Sequence, residues 1–465
     1  MGNRGALSAI LTALALAWAV CGAAQEGPRS VPVQIALAEA MAENEDWEEA
    51  ARRWIGIIYY FGPSEQEARA EFELGAVALP RGRSDLAVSQ WQEVVARHPD
   101  TEWAARAREA LALLGKEPPE PEEAPEPYIT EETPGDERQF LMSEAGMAQG
   151  LYAFALRDYL KVPNLHPDSP RAAEARFRVG TCQVLLGRPE LAVRQWQRLL
   201  EEHPDAPEAR LARGGIAAWQ ALLEVAGVQV GRQPGLDGGW TPFRAHGTEP
   251  DRGLSYAEDL YENGIYDYAL QEYAKVLCGI YTPPGEDNPH LAYARYRMGV
   301  CAYRLRDPDG AARQWRRVME DHPDSPWAQQ ASRALAAVGG SDTLSSEAGR
   351  PALALPEGLD TPLAMRQHLA HQLADAGLPR LAIKEYLKVI NVLTAGRPNP
   401  YQAEAWYRIG QCQQALGRPD LAAAAWEAAV REHAGTEWAE RAEAALAAAG
   451  RREGVFARGR GGPGT

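Results

Sequence analysis

Cysteine is scarce in this 465-residue chain, five in all, which excludes a small scaffold held by disulfides. Long apolar runs are scarce too. The one pronounced stretch, Gly5 to Val20, is shorter than the roughly 20 residues a spanning helix needs, so no integral membrane span is expected. Valine and isoleucine are thin beside alanine, leucine, glutamate and arginine, which disfavours sheet and favours helix. Positive charge is short: 48 Lys and Arg stand against 64 Asp and Glu, a net charge of −16. That balance excludes broad electrostatic binding to nucleic acid or anionic membrane. Catalytic signatures are lacking as well. There is no nucleophile elbow, P-loop, dinucleotide fingerprint or zincin motif, so neither a cofactor nor an enzyme is expected.

What is present begins at the N-terminus. Arg4 precedes the apolar stretch, and the small residues Gly22, Ala23 and Ala24 follow it. This pattern predicts a secretory signal peptide over residues 1–24 and an exported, periplasmic or secreted mature chain. Cys21 raises the alternative of an outer-membrane lipoprotein, but Val20 directly before it fits that processing poorly.

Four segments align without gaps: Asp85-Leu-Ala-Val-Ser-Gln-Trp91, Glu190-Leu-Ala-Val-Arg-Gln-Trp196, Asp309-Gly-Ala-Ala-Arg-Gln-Trp315 and Asp420-Leu-Ala-Ala-Ala-Ala-Trp426. A histidine follows each tryptophan at the same distance (His98, His203, His322, His433), and a glycine precedes each alanine at the same distance (Gly75, Gly180, Gly299, Gly410). Internal repetition of this kind is the mark of a solenoid. A glycine recurring inside a helix costs roughly 0.5–1 kcal/mol relative to alanine, so close approach must require it. The expected contact is with Ala87, Ala192, Ala311 and Ala422 where two helices cross, with each tryptophan filling the space between hairpins. A weaker hairpin precedes each copy, marked by Ala50/Trp54, Ala155/Tyr159, Ala269/Tyr273 and Ala382/Tyr386, with turn residues Glu45, Gly150, Gly264 and Gly377. A closing helix follows each copy. Three of these have Thr101, Ser325 or Thr436 as caps, and they end at Gly115, Gly227, Gly339 and Gly450.

The run from Ala403 to Trp426, with Trp406, Ile409, Gly410, Ala422 and Trp426 at their spacing, resembles the 34-residue tetratricopeptide repeat. The segments around Gly180 and Gly299 match nearly as well. The resemblance implies an all-α solenoid of helical hairpins wound as a right-handed superhelix, with about eight hairpins in four modules. The modules are expected over 31–115, 140–227, 253–340 and 360–450. An acidic Pro/Glu-rich linker is expected over 116–139, a Gly/Pro-rich linker over 228–252, a further linker over 341–359, and a disordered basic Gly-rich tail over 451–465. The His-Pro-Asp-Ser/Thr variant is similar to exported bacterial repeat proteins of outer-membrane assembly and of the Tol–Pal system, which are envelope adaptors.

The resemblance also implies a groove lined by the first helix of each hairpin. It places Glu144, Glu258, Arg178, Arg297 and Arg408 there, with the aromatics Phe177, Tyr296, Tyr407 and Tyr303, a mixture suited to an extended or helical peptide. Ion pairing between such residues is the plain alternative. His368, His371 and Asp375 share a helical face and form a weak metal candidate. The four repeated histidines read as helix ends. Cys182, Cys301 and Cys412 occupy one repeat position and read as small packing residues, while Cys278 and Cys301 are either a free buried pair or a disulfide.

The expected role is a non-catalytic, envelope-located scaffold for protein or peptide partners. The alternatives are a metal-dependent or carbohydrate-acting envelope enzyme and a self-assembling structural spacer.

Overall fold

The computed structural model describes residues 31–61, 65–120, 133–225, 247–282, 288–337, 362–391 and 399–459. Among them are twenty α-helices and no strand, five helices to a module. The first module holds α1 (Val31–Glu43), α2 (Trp47–Phe61), α3 (Glu65–Ala78), α4 (Ser84–Arg97) and α5 (Glu102–Leu113). The second holds α6 (Gly135–Ala148), α7 (Tyr152–Leu165), α8 (Ala172–Leu185), α9 (Pro189–Glu202) and α10 (Pro207–Val225). The third holds α11 (Glu249–Glu262), α12 (Tyr266–Leu277), α13 (Leu291–Arg304), α14 (Pro308–Asp321) and α15 (Pro326–Ala337). The fourth holds α16 (Pro362–Asp375), α17 (Pro379–Asn391), α18 (Gln402–Ala415), α19 (Pro419–Glu432) and α20 (Glu437–Gly459). The fold is the all-α solenoid of helical hairpins that the sequence leads one to expect.

The helix limits follow from local chemistry. Pro189, Pro308 and Pro419 open α9, α14 and α19 at a position where a missing N–H costs nothing. Thr101, Ser325 and Thr436 accept from the backbone N–H groups of Ala104, Ala328 and Ala439 at the start of the closing helices. His98, His203, His322 and His433 are the last residues of α4, α9, α14 and α19 to bond back into their helices. Their own carbonyls accept from Thr101, Ala206, Ser325 and Thr436. The repeated histidine is therefore the pivot from second hairpin to closing helix.

The hairpin cores add a contact to the expected crossing. The nearest neighbour of each repeated glycine is the tryptophan of its own hairpin. A methyl carbon built on Gly75, Gly180, Gly299 or Gly410 would fall 2.6, 2.2, 2.4 or 2.2 Å from Nε1 of Trp91, Trp196, Trp315 or Trp426. Each indole lies over the glycine of its own hairpin. Its N–H donates across the helix pair to a backbone carbonyl three residues before that glycine: Phe72 at 3.0 Å, Phe177 at 3.1 Å, Tyr296 at 3.2 Å and Tyr407 at 3.1 Å. Only a residue without a side chain leaves room for the ring to come that close. The far side of the ring packs on the closing helix, with Trp91 beside Trp103, Ala104 and Ala107, and Trp196 beside Ala209 and Ala212.

Two compact units divide the described residues, Glu26–Ile265 and Tyr266–Thr465. The division falls in the turn after α11 and not in the expected linker over 228–252, because α11 packs on α7. In the first unit α2 packs on α6 and α7 on α11; in the second α12 packs on α16. Each time, the second helix of one module's opening hairpin meets the first helix of the next module. Turns add to the joint: Arg81 donates to the carbonyl of Gln149 at 3.3 Å, and Arg313 to that of Asp375 at 3.3 Å.

The tail differs from expectation. Arg451–Gly459 continues α20 without a stop at Gly450, in keeping with the alanine-, glutamate- and arginine-rich run that enters it. The signal peptide, Cys21, residues 121–132 of the first linker, 228–246 of the second and all of the third lie outside the described residues. So do the last six residues, and Gly227 and Gly339.

The hairpin corners take a left-handed residue, supplied by Gly82, Gly187 and Gly417 in three modules and by Arg306, at φ +64°, in the remaining one. An L-residue there costs roughly 1–2 kcal/mol. Arg306→Gly should stabilise the second unit by about 1 kcal/mol once glycine's extra chain entropy is set against the relief. Chemical denaturation checks this; an unmoved or lowered midpoint would show that the corner carries no strain.

Candidate functional site

Side chains on the first helices of the hairpins meet in ion pairs. Glu39 of α1 pairs with Arg69 of α3. In the second module Glu144 of α6 pairs with Arg178 of α8 at 2.9 Å, and Glu174 stands 3.9 Å from the same arginine. In the fourth, Nε2 of His371 on α16 is 3.1 Å from Glu404 of α18, which also takes Arg408 at 3.3 Å. Arg408 then donates to Gln411, and Gln411 to the Tyr407 hydroxyl, at 3.2 and 3.1 Å. Burial alone would raise the Glu404 carboxyl, but the His371 contact and the Arg408 charge bring it below the usual range. Arg178, Glu144 and Arg408 are each about one-third exposed (35%, 34% and 37%). Pairs this wet contribute little to stability and can exchange partners at small cost.

The remaining candidates are placed otherwise. Glu258 and Arg297 are fully buried, and Arg297 donates to the Tyr273 hydroxyl at 3.2 Å. Neither offers itself to a partner. The aromatics are mostly packing: Phe177 stacks on Trp196 at 5.9 Å, Tyr296 lies 5.6 Å from Trp327 and Tyr407 5.6 Å from Trp438. Tyr296 is buried, Phe177 and Tyr407 half-buried, and Tyr303 is exposed. Tyr296 and Tyr407 meet the closing-helix tryptophans, and Phe177 meets the repeated Trp196. In the first and fourth modules the closing-helix tryptophan also carries arginines on its ring. Arg69 and Arg106 lie 5.4 and 4.4 Å from Trp103, and Arg408 and Arg441 lie 5.6 and 4.6 Å from Trp438.

The His368, His371 and Asp375 face does not gather as a ligand set. His371 is turned to Glu404. Burial, with His371 and Arg295 near it, depresses His368 to about 4, so the ring is neutral at pH 7. Among the described residues, the one trio of candidate ligand atoms within 4.8 Å of one another is Glu67, Glu71 and His98. Cys182, Cys278, Cys301 and Cys412 are free and buried, and burial pushes the Cys278 and Cys412 thiols up to about 12. They are inert packing residues.

A second recurrence, in the joints, escaped the sequence reading. Asp158-Tyr-Leu-Lys-Val162, Glu272-Tyr-Ala-Lys-Val276 and Glu385-Tyr-Leu-Lys-Val389 share one position on α7, α12 and α17. In each, the acid is buried and takes the lysine one turn on, at 2.8, 2.7 and 2.9 Å. The preceding module supplies a further donor where the pair lies in one unit: Arg52 of α2 to Asp158 at 3.4 Å, and Gln271 of α12 to Glu385 at 2.9 Å. Asp259 of α11 is held likewise, by Arg176 at 2.7 Å, by Asn164 at 2.5 Å and by Arg198. The acid-Tyr-x-Lys-Val spacing was the available signal, masked by the alanine and aromatic positions that mark the weaker hairpin.

The family model for the tetratricopeptide repeat matches residues 174–206, 293–325 and 404–436, the second hairpins of modules two to four. No curated protein matches the chain. Among solved structures it is similar to a tetratricopeptide repeat protein from Parabacteroides merdae ATCC 43184, at 16% identity over 68% of this chain and 98% of that one, with a TM-score of 0.18. It is also similar to the P58(IPK) TPR domain, at 15% identity over 85% and 100% of the two chains and a TM-score of 0.17. A third is the APC/C hetero-tetramer Cut9–Hcn1, at 13% identity over 96% and 82% and a TM-score of 0.18. Scores this low carry no argument about the present chain.

The joint carboxylates make a pH prediction. Burial alone would raise Glu385, but the charges of Lys388, Arg366, Lys275 and Lys384 outweigh it and hold the carboxyl at about 2 against an ordinary 4.5. A carboxyl depressed on folding stabilises the native state above its ordinary value, and that contribution disappears as pH falls through its folded value. Acid should therefore weaken the second unit between about pH 4.5 and 2. Glu385→Gln, which strands the buried cations, should cost about 3–5 kcal/mol at neutral pH and flatten that acid limb. Thermal melts of both proteins at pH 7 and pH 3 check this; parallel losses in the two would contradict it.

Proposed function

For a chain built of tetratricopeptide repeats, we propose the role of a non-catalytic scaffold in the cell envelope, binding protein or peptide partners along the first-helix faces of its hairpins. The observation that carries the reading is the partly exposed row of charges in two modules, Glu144–Arg178–Glu174 and His371–Glu404–Arg408–Gln411. Arginine is a frequent anchor at protein interfaces. A partner carboxylate can compete with Glu144 for Arg178, a pair about one-third exposed on both sides. The Arg408 and Arg441 guanidiniums on Trp438 add a flat cationic surface beside the second row. Export to the envelope is supported by the Arg4, apolar-stretch and small-residue pattern of residues 1–24.

Arg178→Glu with Arg408→Glu should leave helical content unchanged and lower capture of partners from the protein's own envelope fraction by roughly tenfold or more, the weight of one interfacial arginine pair. Unchanged capture would remove these faces from the reading. A shift of the wild-type chain to large assemblies in light scattering would favour the structural-spacer alternative instead.

A further inference from the structure

The joint that leads into the third module carries a matched set of buried charges. Asp259 of α11, fully buried, lies between two arginines: Arg176 of α8 donates to it at 2.7 Å, and Arg198 of α9 pairs with its other oxygen. Asn164 of α7 adds an amide donor at 2.5 Å. Glu202 takes both arginines as well, at 2.9 and 2.6 Å, and Glu262 stands 3.7 Å from Arg198. Two cations therefore face three carboxylates.

The joint that leads into the fourth module keeps both arginines at the same repeat positions, as Arg295 of α13 and Arg317 of α14, but Gln372 of α16 stands where Asp259 would be. The Glu202 position carries the shorter Asp321, which comes no nearer to Arg295 than 3.6 Å. Cys278 stands at the Asn164 position, and Asp375, at the Glu262 position, is exposed. Arg295 is 4% exposed, and its Nε and Nη1 make no hydrogen bond. Arg317 is half-buried and forms no ion pair among the described residues. Burial pulls the Arg295 guanidinium below its ordinary value; the Asp321 charge opposes this and the Arg317 charge adds to it. Arg295 also bears on Cys278 of α12 and His368 of α16, in each case behind the effect of burial. A guanidinium this dry, with one distant carboxylate and a second arginine beside it, calls for a further negative charge.

We propose that Arg295, Arg317 and the Gln372 amide bind a buried chloride ion at the position that the Asp259 carboxylate holds one joint earlier. Arginine N–H groups are donors only, and an anion is what satisfies them best. The glutamine amide can donate to an anion as well, which an aspartate cannot. Size selects the ion. Cys278 and Asp321 are each shorter than Asn164 and Glu202, whereas Gln372 is longer than an aspartate, so the change in volume suits a single atom better than a phosphate or a partner's carboxylate. The ion takes no part in the proposed binding faces; it fastens α13 and α14 to α16. The competing account is that Asp321 alone balances Arg295 and water serves Arg317, with no bound ion.

Melting the full-length protein in NaCl and in sodium gluconate at equal ionic strength separates the two accounts. Chloride about tenfold above its dissociation constant should raise the midpoint of the second unit by roughly 3–6 °C over gluconate. The wild type should also broaden the chloride NMR resonance. Gln372→Asp restores the acid of the earlier joint, so it should melt higher than the wild type in gluconate and lose both the salt difference and the broadening. Arg295→Gln should lose the broadening too. Should the variants fold poorly, hydrogen exchange on the wild-type chain in the two salts decides, since chloride is expected to raise protection across residues 291–321 and 362–375. Equal wild-type midpoints in the two salts, broadening retained in Gln372→Asp, or protection gained elsewhere would overturn the site in favour of Asp321 alone.

Discussion

Each second hairpin is held by an indole ring seated on a glycine. The tryptophan fills the gap where a side chain would stand, and its N–H completes the second lone pair of a backbone carbonyl on the opposing helix of the hairpin. One residue thus supplies apolar area, shape and direction together. The same ring presents its far side to the closing helix, and in the second module a further glycine, Gly215, lets that helix approach as well. Remove the ring, and hairpin and closing helix lose their common surface.

The opening hairpins are tied differently. Where the second hairpins rely on an apolar clasp, the joints between modules rely on buried acids encircled by lysine, arginine and amide donors. A buried ion pair adds little net stability over an apolar contact of the same shape, yet a broken one is costly. Such an arrangement therefore penalises a wrong neighbour or a slipped register more than it rewards the right one. It suits helices that resemble one another closely and must still meet the right neighbour.

Much of this was legible because the chain repeats itself. Four copies of glycine, alanine, tryptophan and histidine at fixed spacing fix the hairpins and the closing helices, and the cap residues Thr101, Ser325 and Thr436 stand where expected. That the glycine's nearest neighbour is tryptophan was not legible, because spacing shows which residues share a crossing but not how far a ring reaches across it. Arg297 and Glu258 share the repeat position of exposed residues in other modules and are nonetheless buried. Burial depends on what the neighbouring helix brings, which one-dimensional register does not contain. The Glu67, Glu71 and His98 cluster is hidden for a related reason: its acids and its histidine are some thirty residues apart, and the histidine is already accounted for as a helix end.

The central claim is that glycine and tryptophan act as one unit, and a double-mutant cycle on the second module measures it directly. Unfolding free energies would be compared for the wild type, Gly180→Ala, Trp196→Leu and the double variant. If the two are coupled, Gly180→Ala costs about 1–3 kcal/mol by overpacking when the indole is present and almost nothing once Trp196 is leucine. Equal costs in both backgrounds would mean that the ring does not need the glycine, and the recurrence of glycine in the repeat would have to come from another constraint.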